Sequence, residues 1–323
     1  MLYPIKLQAP LKDYLWGGTR LREEYGKASE MEKVAESWEL SCHKDGESII
    51  AEGRDKGLTL AAYIEREGRQ ILGPRCQSQQ EFPLLIKFID AKDSLSVQVH
   101  PDNEYAARVE GEQGKTEMWY VMDAEPGARL IYGFAKEISR EEFKERIENN
   151  TLLEVCRQVP VHKGDVFFIE AGTLHAIGAG ILICEVQQSS NSTYRVYDYG
   201  RVGADGKPRE LHIEKALDVT GRKPLELNTS PLAEIDLVKG CKLSLLAKCD
   251  YFTTYHLELK DWEAVEFKAP EESFRSLTVL SGSIRLEASE EEMDLAKGET
   301  VFLPVGMGDY TLMGEAECLM AEH

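Results

Sequence analysis

The sequence predicts a mainly β protein built of two related β-barrels, the first carrying a helical insertion. Short segments rich in β-branched and aromatic residues recur between Gly, Pro, Asn and Asp, the punctuation of an all-β sandwich or barrel. KGDVFFIEAGTLHAI (163–177) aligns without a gap on KGETVFLPVGMGDYT (297–311), with Gly172 on Gly306. Upstream, WYVM (119–122) matches LTVL (277–280). Glu117 and His175 are 58 residues apart, whereas the aligned Arg275 and Asp309 are 34 apart. The 24 extra residues of the first copy are close to the length of a helical segment, so the repeat and the insertion are one reading.

The strand candidates are LLIKFID (84–90), SLSVQVH (94–100), EMWYVMD (117–123), ARLIYGF (128–134), DVFFIEA (165–171), ILICEVQ (181–187) and TYRVYDY (193–199). Two helical islands interrupt them. Leu60, Tyr63, Ile64 and Ile71 follow Thr59 at helical spacing. SREEFKERIENNTLLEVCRQV (139–159) opens on Ser139 with Glu142 three residues later, a capping-box pattern, and Phe143 and Ile147 share one face. A second short helix is expected near Asn150. PLELNTSP (224–231) is polar and turn-rich and lies between the two copies. It divides the chain into a working domain, 1–223, and a degenerate second domain, 224–323.

The chain has 323 residues, 38 basic against 57 acidic, for a net charge of −19. Nucleic-acid binding needs a basic stripe that releases counterions, so that class is excluded, although one local basic pocket for a small anion is not. No apolar run approaches the roughly 20 residues of a membrane helix. The N-terminus lacks the layout of a signal peptide. The seven cysteines are scattered without a CxxC pair and read as buried thiols in a reducing, cytoplasmic setting.

Chemistry concentrates in a few strands. In SLSVQVHPDN, strict alternation sends Leu95, Val97 and Val99 one way and Ser96, Gln98 and His100 the other. The same parity groups Lys115, Glu117 and Trp119. His175 follows the Gly172 turn. A lone strand histidine is more commonly a hydrogen-bonded structural group than a ligand. Glu117 is different, since a carboxylate inside an apolar strand must be paired, protonated or metal-bound. A Gln/His/Glu/His set suits a borderline divalent metal, zinc first, with Fe, Mn or Co as alternatives. Arg275 and Asp309 stand at the Glu117 and His175 positions of the second copy, so the second barrel is expected to be free of metal.

The glycine–acid–strand–Gly-x-x-His pattern is similar to the second motif of the cupin superfamily of jelly-roll barrels. A wider set resembles the short bacterial form of the type I mannose-6-phosphate isomerases, or phosphomannose isomerases: DYLWGG (13–18), ESWELS (36–41), PLLIKFIDAKDSLSVQVHPDN (83–103), GKTEMWYV (114–121), GTLHAIG (172–178) and NSTYRVYDYGR (191–201). The resemblance implies two cupin barrels and one zinc ion in the first, held by Gln98, His100, Glu117 and His175. It also implies a catalytic Arg195 and the interconversion of mannose 6-phosphate and fructose 6-phosphate. Gln98 replaces the first histidine of the general cupin pair, and Glu170 stands where many cupins have proline.

Aldose–ketose isomerisation moves a proton between C2 and C1 through an enediol, which calls for a Lewis acid and a general base. Lys115 is one candidate for the base. No Walker-type loop is present, so scattered side chains must hold the phosphate: Ser96, Lys87, Lys115 and Arg195. Lys87 interrupts IKFI, and a lysine reaching solvent is the alternative for it. Trp16 is a candidate wall of the substrate site, and GADGKPRE (203–210) a candidate lid. The competing functions are a metal-dependent cupin dioxygenase and a non-catalytic sugar-binding bicupin. The expected partner is a small sugar phosphate, with no nucleic acid or membrane, and the expected assembly a monomer or weak homodimer.

Overall fold

The computed structural model describes residues 2–202, 206–238, 240–288 and 291–323. The candidate lid thus begins on Gly203, Ala204 and Asp205, which lie outside the described residues. The described residues form a mainly β structure with three principal sheets. One runs Val166–Ile169, Glu117–Ala124, Ile181–Gln188, Leu84–Ala91, Glu36–Leu40 and Leu11–Lys12 in hydrogen-bonded order. A second runs Cys156–Pro160, Arg129–Phe134, His175–Ala176, Val97–Val99 and Tyr194–Tyr197. The ten-stranded third holds the C-terminal strands and also takes in Ile5–Gln8 and Ile49–Ile50. Hydrogen bonding therefore crosses the 223/224 division, for Ile5 pairs with Phe302.

Period-2 alternation sorts the apolar side chains into layers. Ile89, Trp119, Val121, Phe167 and Ile183 of the six-stranded sheet share one buried cluster with Leu130 and Tyr132 of the five-stranded sheet and with Ile177 just beyond its His175–Ala176 strand. The two sheets face each other across it. The opposite face of the six-stranded sheet (Ile86, Phe88, Met118, Tyr120, Val186) packs on Leu280, Phe302 and Leu319 of the ten-stranded sheet and on Phe252 just before its Thr253–Leu259 strand. The opposite face of the five-stranded sheet (Val97, Val99, Ala176, Val196) packs on Phe143, Ile147, Ala216 and Leu217 of two helices. Leu95 departs from the expected parity. It joins the inner cluster instead of Val97 and Val99, because the strand begins only at Val97 and alternation does not carry back through the preceding bend.

The internal repeat occurs at one register. Val166 pairs with Tyr120 and Ile169 with Glu117; the aligned Thr300 pairs with Thr278 and Leu303 with Arg275. The matched Gly172 and Gly306 both have φ 88°, a left-handed turn conformation that favours glycine. Where the first copy carries Glu117, the second carries Arg275, whose Nε donates to Glu322 and whose NH1 donates to Tyr310 Oη.

The helices follow their caps. Thr59 accepts from Ala62 N and opens Leu60–Glu67; Ser139 accepts from Glu142 N and opens Arg140–Glu148. The 139–159 segment is helical only to Glu148. Leu152–Glu154 is a single 3₁₀ turn, and Cys156–Pro160 is a strand paired with Arg129–Phe134. A free sheet edge overrides the helical pattern there. No helix among the described residues is long and apolar enough to cross a membrane. All seven cysteines are free thiols, five buried and Cys42 and Cys249 half-buried.

Candidate metal centre and active-site cavity

The two facing sheets bring His100, Glu117 and His175 together. His175 pairs across strands with Gln98, and Gln98 in turn with Arg195, which sets the five-stranded side of the site. Glu117 comes from the six-stranded side. The three residues are fully buried, and one ligand atom from each lies within 4.8 Å of the others. His175 Nε2 is 3.4 Å from Glu117 Oε1 and His100 Nε2 is 3.6 Å from Glu117 Oε2.

Each imidazole is fixed by its other nitrogen. His100 Nδ1 donates to the Ser192 carbonyl at 2.8 Å, and His175 Nδ1 donates to the Thr173 carbonyl at 2.8 Å. Both Nε2 lone pairs therefore point at the carboxylate. This is the arrangement by which a backbone acceptor orients a metal-ligating histidine. Among the described residues His100 Nε2 and Glu117 Oε1 are buried without a hydrogen-bond partner, while Glu117 Oε2 faces the Lys115 ammonium. Orphaned polar atoms of this kind are costly unless something else occupies them. Burial pushes the His175 imidazole down to about 4, and burial, then Lys115 and His175, hold His100 well below its ordinary value. Both are neutral, the ligand form. The donor set fits a divalent cation. The Gln98 carboxamide lies 3.4 Å from His175 Nε2, and its oxygen and nitrogen exchange by rotation about the last bond.

Lys115 Nζ is 3.0 Å from Glu117 Oε2 and 3.9 Å from Glu185 Oε1. Burial alone would depress the Lys115 pKa; the two carboxylates more than offset it, and the net shift is upward. In the metal-free chain Lys115 is therefore a cation at neutral pH. For Glu185, burial raises the pKa, but Lys115 and Lys87 outweigh it and leave the group below its ordinary range.

A cavity of about 310 Å³ adjoins this cluster and is lined by Trp16, Lys87, Ser96, Gln98, Lys115 and Arg195. All six were expected from the sequence at the site. Lys87 does not reach solvent: it is 3% exposed, 3.4 Å from Glu185 Oε1, and stacked over Trp38 at 5.1 Å. Arg195 Nε donates to Ser96 Oγ at 3.3 Å and NH1 donates to the Glu210 carbonyl at 3.0 Å. Among the described residues no carboxylate pairs with it. A larger cavity of about 440 Å³, lined by Cys42, His43, Lys44 and Glu112, contains none of the metal set.

Over its whole length the chain is 39% identical to the mannose-6-phosphate isomerase of Streptococcus mutans, spanning 99% of that protein. The chain belongs to the type I phosphomannose isomerase family. Residues 5–127 match the family model for the phosphomannose isomerase type I catalytic domain, and residues 242–322 that for the mannose-6-phosphate isomerase cupin domain. The mannose-6-phosphate isomerase ManA of Bacillus subtilis is 36% identical, with 98% of each chain covered. A crystal structure of the mannose 6-phosphate isomerase from Bacillus subtilis superposes with a TM-score of 0.91 at 34% identity, over 98% of this chain and 99% of that one. Phosphomannose isomerase from Salmonella typhimurium shares the fold, with a TM-score of 0.80 at 17% identity over 99% of both chains.

For this phosphomannose isomerase relative, sequence reasoning did not single out six polar residues of the cavity wall: Tyr14, Glu36, Glu185, Asn191, Thr193 and Arg209. Glu185 carried a usable signal, an acid inside the apolar strand ILICEVQ, the argument that singled out Glu117. It accepts from Trp119 Nε1 at 2.8 Å on Oε2, while Oε1 faces the Lys87 and Lys115 ammonium groups. Arg209 lies in the irregular GADGKPRE segment, which the sequence marked only as a candidate lid. Its guanidinium is held by two bonds to Asp198, 2.7 and 2.6 Å, and Arg201 donates to the same carboxylate.

Proposed function

We propose that this chain is a zinc-dependent isomerase that interconverts mannose 6-phosphate and fructose 6-phosphate through an enediol. The observation that carries the reading is the buried set of His100, Glu117 and His175, with His100 Nε2 and Glu117 Oε1 left without a hydrogen-bond partner among the described residues, beside a cavity lined by Arg195. Gln98 is the proposed fourth ligand. A zinc ion held there supplies Lewis acidity toward the sugar oxygens flanking the migrating proton.

The chain's own groups do the rest. Arg195 balances negative charge on the enediolate, a role favoured by its lack of a carboxylate partner. Lys115, kept protonated by Glu117 and Glu185, donates to a sugar oxygen. Glu185 Oε1 is the carboxylate oxygen on this wall able to receive the carbon-bound proton. A net charge of −19 repels a phosphate at long range, so binding rests on local cations, Lys87, Lys115, Arg195 and Arg209, with Ser96 and Trp16 completing the wall. The matched register and matched glycines support a catalytic cupin barrel within 1–223, with its helical insertion, and a degenerate one within 224–323. The free thiols suit a reducing cytoplasm.

Turnover of mannose 6-phosphate, followed with and without chelator and after zinc, iron or manganese is returned, tests the proposal. Zinc-restored isomerisation is the expected result. Metal-replete protein that leaves mannose 6-phosphate unchanged would refute it and favour a non-catalytic bicupin.

A further inference from the structure

His100 is oriented by a stretch of chain that has no regular structure of its own. Residues 189–193 lie between the strands Ile181–Gln188 and Tyr194–Tyr197, and they present the Ser192 carbonyl to His100 Nδ1. A strand would hold such a carbonyl through its ladder. Here the segment is tied down mainly by side chains reaching it from elsewhere. Gln187 Nε2 donates to the Ser190 carbonyl at 2.7 Å from the inside. From the outside, the hairpin formed by Cys42–His43 and Gly46–Glu47 presents Asp45, which accepts from Asn191 Nδ2 at 2.9 Å. The Ser192 hydroxyl donates to Glu112 Oε2 at 3.0 Å, an acceptor 80 residues away in sequence. Glu112 Oε1 is in turn 2.9 Å from Lys44 Nζ at the same hairpin tip.

We infer that Glu112 is a positioning residue: by holding the Ser192 hydroxyl it fixes the Ser192 carbonyl, and through it the ring orientation and tautomer of His100. This rests on the reading of His100 as a metal ligand. The physical argument is one of alternatives. His100 is 1% exposed and its Nε2 has no hydrogen-bond partner among the described residues, so the Nδ1 bond is the one hydrogen bond that sets its tautomer and, with packing on His175, its ring orientation. Serine 192 offers its side chain and its carbonyl from one residue, so an anchor on the first restricts the second. Glu112 lines the larger cavity and touches nothing that lines the smaller one except through this segment. Lys44 is 72% exposed in its side chain and contributes little by itself.

The test uses the full chain, with zinc alone as the probe. Glu112→Ala and Ser192→Ala should each weaken zinc binding about 3- to 10-fold, below the 10- to 100-fold typical of a direct partner of a ligand, since Glu112 acts one step further out. The double variant should bind no more weakly than the weaker single variant, because both remove one interaction. Glu112→Gln keeps an oxygen that accepts from Ser192 and should restore affinity to within about 2-fold of wild type on that reasoning. In metal-free protein, imidazole ¹⁵N resonances should show one His100 tautomer, with hydrogen on Nδ1, in wild type and Glu112→Gln and a mixture in Glu112→Ala. Unchanged affinity and tautomer in Glu112→Ala would overturn the inference, as would additive losses in the double variant. A wild type that binds no zinc would instead overturn the metal-ligand reading.

Discussion

Replacing Glu117 by Gln separates the charge of the metal centre from its shape. The side chain keeps its volume, and the two histidines keep their backbone acceptors at Ser192 and Thr173. What is lost is the negative charge lying 3.4 and 3.6 Å from the two Nε2 atoms. Unit charges about 4 Å apart interact by about 4 kcal/mol at an effective dielectric of about 20, and a dication doubles that. Allowing half of this for the dipole of the replacing amide and for relaxation, zinc affinity should fall about 1000-fold. At free zinc about 1000 times the wild-type Kd, wild type gains about 4 kcal/mol of stability and the variant only about 0.4 kcal/mol. For a chain of this length unfolding as one unit, that difference is about 5 °C in Tm. Thermal unfolding with chelator and with buffered zinc reads it directly. A Glu117→Gln protein whose Tm rises with zinc as far as wild type would show that the carboxylate is no ligand.

Arg195→Ala should keep its zinc content and lose about 100- to 1000-fold in kcat/KM, since among the described residues the guanidinium bonds to Ser96 and a carbonyl and to no metal-set residue; near-normal turnover in an isomerisation assay would remove it from the mechanism. Lys115→Met leaves the buried Glu117 and Glu185 without their shared cation and should cost about 3–5 kcal/mol in the metal-free protein, and less once zinc sits beside Glu117; equal losses in both denaturant titrations would contradict that geometry. For pH, the folded His175 titrates near 4, below its ordinary 6.5, so the unfolded chain binds the proton first as pH falls. The His175 contribution to metal-free stability is then full above about pH 6.5 and is lost toward pH 4, so Tm should fall more steeply over that window than in His175→Gln. A Tm equally flat in both proteins over that window would refute the buried neutral imidazole.

Much of the site was legible because strand parity is local. Gln98 and His100 share a face, and Lys115, Glu117 and Trp119 share another, from alternation alone, and all five converge as that parity requires. The Gly172 and Gly306 turns align for a similarly local reason, a left-handed backbone conformation. The helical reading of 139–159 holds through Glu148 and in the 3₁₀ turn Leu152–Glu154 near Asn150, and fails from Cys156 because the edge of Arg129–Phe134 offers hydrogen bonds that local periodicity does not record. Glu185 and Arg209 escaped notice because their importance lies in what they face, Lys87 and Lys115 for one and Asp198 for the other.

The sequence by itself determined which side chains turn inward, where the repeat lies, and the donor types that suit a borderline metal. Tertiary structure alone decided that Gln98 lies opposite His175, that Glu117 meets both histidines from the facing sheet, and that the Ser192 carbonyl orients His100. The division has one physical cause. The direction of a side chain follows from the backbone conformation of its own residue and its neighbours. The partner it meets follows from hydrogen-bond register and sheet packing between segments tens of residues apart, which are settled only when the whole chain buries its apolar faces.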